Sequence, residues 1–183
     1  KYRLNPNPRT PYNICKQQKL PYEKKACHDQ MNGYVSRSYD TFSEALRVAS
    51  RNADPQYMEV SILSLATSEA SLKLVPRTNK NGKMKTADVG ECAMAGEVYQ
   101  HACAKGFGAG LVEMGDPRTG YATAISICAQ GGRFSDKCLE GVSLAAGDWA
   151  SDRVQAEVCR DIRKVSPSAG DRCDTQMHQN SAP

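Results

Sequence analysis

The residues of this chain whose type and spacing most clearly permit chemistry are its eight cysteines. They fall into four close pairs: Cys15 with Cys27, Cys92 with Cys103, Cys128 with Cys138, and Cys159 with Cys173. The partners are separated by 12, 11, 10 and 14 positions, and Cys103, Cys138 and Cys173 recur at an interval of 35. Paired cysteines can oxidise to disulfides or ligate zinc as thiolates. Structural zinc sites use tighter ligand clusters such as C-x-x-C. The chain contains no C-x-x-C, and none of the C-x-x-C-H of covalently attached haem. An even count at regular spacing reads as a disulfide framework formed in an oxidising compartment. The near-constant local spacing predicts that each cysteine bonds its neighbour in sequence.

Other chemistry is hard to assemble. Of the histidines, His28 adjoins Cys27, His101 lies two residues before Cys103, and His178 is near the end of the chain. Metal ligation there would compete with disulfide formation for the same sulfurs, so all three are expected at the surface, with no metal or other cofactor. Glu91 and Glu97 lie on different faces of one expected helix and do not converge as a general acid and base must. No G-x-S-x-G, phosphate-loop or dinucleotide fingerprint occurs. Gly106, Gly108 and Gly110 superficially resemble a phosphate loop, but they follow Cys103 inside an apolar helical period with no strand before them. Close helix packing accounts for them better. No catalytic residue is assigned, and the chain reads as a non-enzyme.

The remaining candidates recognise partners. Residues 76–87 break the helical pattern, and Arg77, Lys80, Lys83 and Lys85 make this loop basic. It has no interleaved aromatics for base stacking, so nucleic acid is not expected. Residues 1–13, with Pro6, Pro8 and Pro11, read as an extended arm. The arm carries Tyr2, Arg3, Arg9 and Tyr12. A net charge of +4 permits acidic partners without specifying one. Arm and loop are expected to carry binding, because loops on a rigid scaffold usually do.

The scaffold itself reads as all-α. Thr41 with Glu44 forms a T-x-x-E start, followed by Phe42, Ala45, Leu46 and Ala49 at one-face spacing. Asp54-Pro55 begins a second helix whose buried stripe is Met58, Ile62, Leu65 and Ala66. Glu69 stands where that stripe would continue, so burial is expected to end before it. Val89, Cys92, Ala93 and Gly96 share one expected helix face. Cys103, Phe107, Gly110, Leu111 and Met114 share the next. Asp116-Pro117 starts a helix carrying Tyr121, Ala124, Ile125 and Cys128, and Gly131-Gly132 turns the chain. Ser135 is expected to cap the helix of Cys138, Val142 and Ala145, and Asp148 the helix of Val154, Val158, Cys159 and Ile162. Trp149 is placed between repeats. Ser166-Pro167 opens a short last helix around Cys173, and 178–183 is expected to fray.

In the last three units the first cysteine falls late in one helix and the second early in the next, which a turn brings together. Residues 41–69 repeat the unit without cysteines, with Val48 and Ile62 at the staple positions. A fixed period near 35 is the mark of stacked repeats. The expectation is therefore five helix–turn–helix units in a short solenoid or bundle. It comprises an arm at 1–13, one domain at 14–177 bearing the loop at 76–87, and a tail at 178–183.

Cys138-Leu-Glu-Gly141 running to Gly147 resembles the Sel1-like helical repeats, in which two glycines six residues apart mark a close helix crossing. Cys103-Ala-Lys-Gly106 begins the same way. The similarity is to the cysteine-rich, secreted bacterial members and covers about 88–175. It implies a solenoid that binds other proteins or cell-wall peptides on its concave face.

Location and role follow as expectations. The chain starts at Lys1 without Met or an apolar leader, as a processed product would. It has no apolar run long enough to span a bilayer and no N-x-S/T sequon. A periplasmic or secreted protein is expected, serving as a structural or protein-binding subunit of the bacterial envelope or of a secretion apparatus. An inhibitor or immunity protein acting through 76–87 is the alternative. A helical, lysozyme-like hydrolase is the least favoured, because no convergent carboxylate pair can be named.

Overall fold

The structure is a computed structural model and describes residues 7, 10–74, 77–78, 84–85, 87–113 and 120–180. Among the described residues there are eight α-helices: α1 (Pro21–Ser38), α2 (Phe42–Asn52), α3 (Met58–Leu74), α4 (Gln100–Glu113), α5 (Gly120–Ala129), α6 (Ser135–Trp149), α7 (Asp152–Val165) and α8 (Pro167–Asn180). Short 3-10 turns, including Pro11–Gln17 and Val89–Met94, lead into several of them. Among the described residues the β structure is a two-residue antiparallel ladder, β1 (Arg77–Thr78) with β2 (Met84–Lys85), in which Arg77 pairs Lys85. The chain is all-α, as its periodicity predicts.

Local signals explain many of the boundaries. The Thr41 hydroxyl accepts from the Glu44 N–H at 3.1 Å and starts α2. Asp54 caps the turn before α3 by accepting from the Gln56 N–H. Gly132, at φ +55°, takes the left-handed conformation that reverses the chain before α6. The Ser166 hydroxyl accepts from the Ala169 N–H at the start of α8.

Other expectations are corrected. Ser135 is the first residue of α6 and makes no side-chain cap. Asp148 lies inside the last turn of α6, and Ser151 occupies the N-cap of α7 without a side-chain bond. The final helix is 14 residues long and reaches Asn180, so backbone order extends past residue 177. Residues 89–96 are not one α-helix. Val89–Met94 is a 3-10 helix whose period of three buries Val89, Cys92 and Ala95 while Ala93 and Gly96 are exposed. Met114, the Asp116-Pro117 start and the Trp149 side chain lie outside the described residues.

Helices α1, α3, α4, α6 and α8 pack in that order, each against the next. The turn Pro11–Gln17, α2, the turn Val89–Met94, α5 and α7 lie respectively against them. Because α1, α2 and α4 all pack against α3, its buried face is wide, and Glu69 is fully buried with Ala70 beside it. The expectation that burial ends before Glu69 is therefore overturned by tertiary contact. Ile62 is fully buried and Val48 only half-buried.

Glycines set the closest crossings. A methyl group built on Gly106 or Gly110 would come within 2.8 Å of the carbonyl carbon of Leu63 or Thr67 on α3. One built on Gly108 would meet the Cys138 carbonyl carbon of α6 at 2.8 Å, and one on Gly141 would meet that of Lys105 on α4 at 2.8 Å. The Thr67 hydroxyl bridges the α3–α4 contact by donating to the Gly106 carbonyl at 3.0 Å. These glycines serve helix packing, as their place in an apolar period predicts.

All four disulfides are the sequence neighbours: Cys15–Cys27, Cys92–Cys103, Cys128–Cys138 and Cys159–Cys173, with Cα–Cα distances of 5.5, 5.6, 5.3 and 5.4 Å. Cys128 and Cys138 flank a turn as expected. Cys159 and Cys173 differ, since they join the middles of α7 and α8. Each closed loop stabilises the fold by about 3 kcal/mol in the chain-entropy account.

Candidate functional site

The expected binding segments fare differently. Tyr2, Arg3, Arg9, Lys80 and Lys83 lie outside the described residues, as do the side chains of Arg77 and Lys85. The backbone of Arg77 and Lys85 forms the ladder, which gives the basic loop a two-stranded base. Tyr12 is not available to a partner. It sits in the turn Pro11–Gln17, has no solvent exposure, and donates its hydroxyl to Asn32 Oδ1 at 2.5 Å. The folded domain thus begins by Pro11, inside the span read as arm.

Tyr12 belongs to a buried polar cluster that the sequence does not announce. Its ring stacks on His28 at 5.2 Å between centroids, and the Tyr57 ring lies tilted to the same imidazole at 5.1 Å. His28 Nδ1 lies 3.0 Å from Ser61 Oγ. His28 and Ser61 are both buried, which corrects the expectation of a surface histidine. Burial pushes the imidazole below its usual value, against the opposing pull of Asp54 and Asp29. A serine beside a histidine is the beginning of a nucleophile–base pair. Here the pair is sealed in the core and locks the Pro11–Gln17 turn, α1 and α3 together. His101 is exposed, and His178 is outside the described side chains. Among the described residues no group of His, Cys, Asp and Glu is arranged to hold a metal.

Glu91 and Glu97 fall in separate 3-10 turns. Glu91 accepts from the Asp88 N–H and, through its other oxygen, from the Ser43 N–H and hydroxyl. It is a structural link between the Val89–Met94 turn and α2. Other charged groups tie neighbouring helices in the same way. Lys105 of α4 and Lys137 of α6 both meet Glu140, at 2.8 and 2.7 Å. Burial raises the Glu140 carboxyl, and the two lysines outweigh it to leave the group below the ordinary range. Asp136 accepts from Ser166 and Ser168, each at 2.8 Å, and from Arg172.

A cleft of about 260 Å³ opens to solvent between α1, α3 and the C-terminal end of α4. It is lined by Gly33, Ser36 and Arg37 of α1, Thr67, Ser68 and Ser71 of α3, and Glu113 of α4. Gly33 leaves room on α1: a methyl there would stand 3.4 Å from Arg37 Nη1, so the guanidinium folds back over it. The α3 hydroxyls each donate to a helix carbonyl. Thr67 donates to Leu63 and Gly106, Ser68 to Ser64, and Ser71 to Ser68. Burial and then the charge of Asp148 push the Glu113 carboxyl above the ordinary range. The sequence offers only a faint signal for this site, the close run of hydroxyls Thr67, Ser68 and Ser71 on α3.

Among the described residues, no helix is long and apolar enough to cross a membrane. No family model, curated protein or solved structure matches the chain.

Proposed function

We propose that this chain is a non-enzymatic, protein-binding scaffold of the bacterial cell envelope, a subunit of a secretion or surface assembly in an oxidising compartment. Its frame is a stack of five helix pairs: the Pro11–Gln17 turn with α1, α2 with α3, the Val89–Met94 turn with α4, α5 with α6, and α7 with α8. The observation that carries this is the packing order α1, α3, α4, α6, α8, combined with a disulfide inside every pair except the second. Stacked pairs bury one another's apolar faces and leave long, stiff surfaces for partners, which is also the architecture of Sel1-like repeats. Local bridges add rigidity and suit a periplasmic or secreted setting. The Ser61–His28 contact is enclosed in the core, which argues against hydrolytic work by that pair.

Capture with the immobilised, oxidised chain from an envelope fraction tests this. A defined multi-protein assembly held at stoichiometric amounts is expected. Solubilisation of cell-wall polymer by the purified chain would instead make it a hydrolase. One observation favours a second reading, an inhibitor that inserts the basic loop into an enzyme: the β1–β2 ladder closes the base of that loop. Recovery of a single enzyme whose activity is blocked would select it.

A further inference from the structure

The cleft between α1, α3 and α4 has a polar arrangement that the packing of the helices does not require. Its two charged side chains are of opposite sign, and among the described residues neither Arg37 nor Glu113 is hydrogen-bonded or ion-paired. Every other charged cluster described above is matched within the protein, Glu140 with two lysines and Asp136 with Arg172. The wall between the two charges is also one-sided. Thr67, Ser68 and Ser71 spend their protons on helix carbonyls, so they offer acceptor lone pairs to whatever enters. Donors are presented at one end by the Arg37 guanidinium, folded over Gly33. Acceptors run along α3 to the Glu113 carboxylate, next to the charge of Asp148. At ~30 Å³ per water the volume equals about nine waters, below the ~300 Å³ at which pockets for drug-sized molecules begin.

We infer that this cleft binds a small zwitterion, an amino acid or short peptide, with its carboxylate on Arg37 and its ammonium on Glu113. A planar guanidinium matches a carboxylate with paired N–H donors. An ammonium supplies three donors to a surface made of acceptors. The hydroxyls of α3 then receive the remaining N–H groups of the ligand. Occupation of the cleft does not depend on the assembly role proposed above, because it is read with small probes and no protein partner.

The test is titration of the oxidised chain, followed by amide NMR shifts and calorimetry, with a set of charge-edited probes. Glycine and triglycine carry both charges, N-acetylglycine only the anion, glycinamide only the cation, and N-acetyltriglycine amide neither. Both zwitterions are expected to shift amides of α1, α3 and the end of α4, and to bind at least tenfold more tightly than any probe lacking a charge. Tighter binding of glycine places the charges one amino acid apart, and tighter binding of triglycine places them a peptide apart. Either result supports the assignment. Arg37→Gln and Glu113→Gln, both at exposed positions, should keep the parent's circular dichroism and each weaken zwitterion binding about tenfold. Equal binding of the uncharged probe, binding by the anion alone, or zwitterion affinity unchanged in both variants would overturn it.

Discussion

Replacing Gly108 by Ala adds one methyl group at the α4–α6 crossing, and the structure sets its cost. The new Cβ would stand 2.8 Å from the Cys138 carbonyl carbon and 3.2 Å from its Cα, and closer still to the carbonyl oxygen. Comfortable carbon–carbon contact begins near ~3.5 Å. The obstacle is helix backbone, which cannot rotate away, so α4 and α6 must part by roughly 0.7 Å or more. A gap of that size forfeits about a quarter to a half of the dispersion well for atoms across it. Overpacking of this kind costs about 1–3 kcal/mol, and the rigid obstacle places Gly108 at the upper end. Alanine recovers about 1 kcal/mol of helix propensity. The net expectation is a loss of about 2 kcal/mol, or about 4–8 °C in a chain of this size. Gly33→Ala is the matched control. Its methyl would meet only the flexible Arg37 guanidinium at 3.4 Å, so it should gain about 0.4–1 kcal/mol. Urea unfolding of both variants with disulfides intact measures the pair. Gly141→Ala probes the same crossing from α6, and the double variant should lose less than the sum. If Gly108→Ala is as stable as the parent, the helices are not in the close contact described.

Two further outcomes follow from the buried cluster. Because the folded protein holds the His28 imidazole below its usual value, the unfolded chain binds more protons as pH falls through ~6.5. Stability should be full above that pH and decline below it until the folded-state value is passed, and His28→Gln should flatten this part of a urea-midpoint profile. A parent profile with no slope between neutral and mildly acidic pH would remove the effect. Deleting 1–13 removes buried Pro11 and Tyr12 and leaves Asn32 Oδ1 without its donor. About 3 kcal/mol should be lost in thermal melts, from side-chain burial and the hydrogen bond together, whereas an arm without packing would leave the melt unchanged.

The parts of this fold that can be read from the sequence are those fixed by neighbours in the chain. Partners 10 to 14 positions apart are brought together by one turn, so the disulfides follow from spacing. Thr41 and Asp54 cap helices through N–H groups two or three residues on. Gly106, Gly108 and Gly110 lie within one helical period and have no strand to make them a phosphate loop. What escapes is set by distant contacts. Glu69 is buried because α1, α2 and α4 all pack against α3, a tertiary effect that its own position in the sequence does not announce. His28 is enclosed by Tyr12 and Tyr57, which lie 16 and 29 positions away with no shared period. The turn at Val89–Met94 has the period of three of a 3-10 helix, which its apolar residues do not distinguish from an α-helical period, although Asp88 and Glu91 spell its capping box. Arg37 and Glu113 come from helices far apart in the chain, so their meeting in one cleft has no local trace.

Helix pairs closed by their own disulfides in an oxidising compartment are the centre of the proposed frame. Non-reducing peptide mapping of the protein recovered from its natural source tests this directly. The expected result is four bridges, Cys15–Cys27, Cys92–Cys103, Cys128–Cys138 and Cys159–Cys173, with no free thiol. A bridge joining different pairs would contradict the stacked-pair frame, and a preparation dominated by free thiols would contradict the compartment on which the proposed role depends.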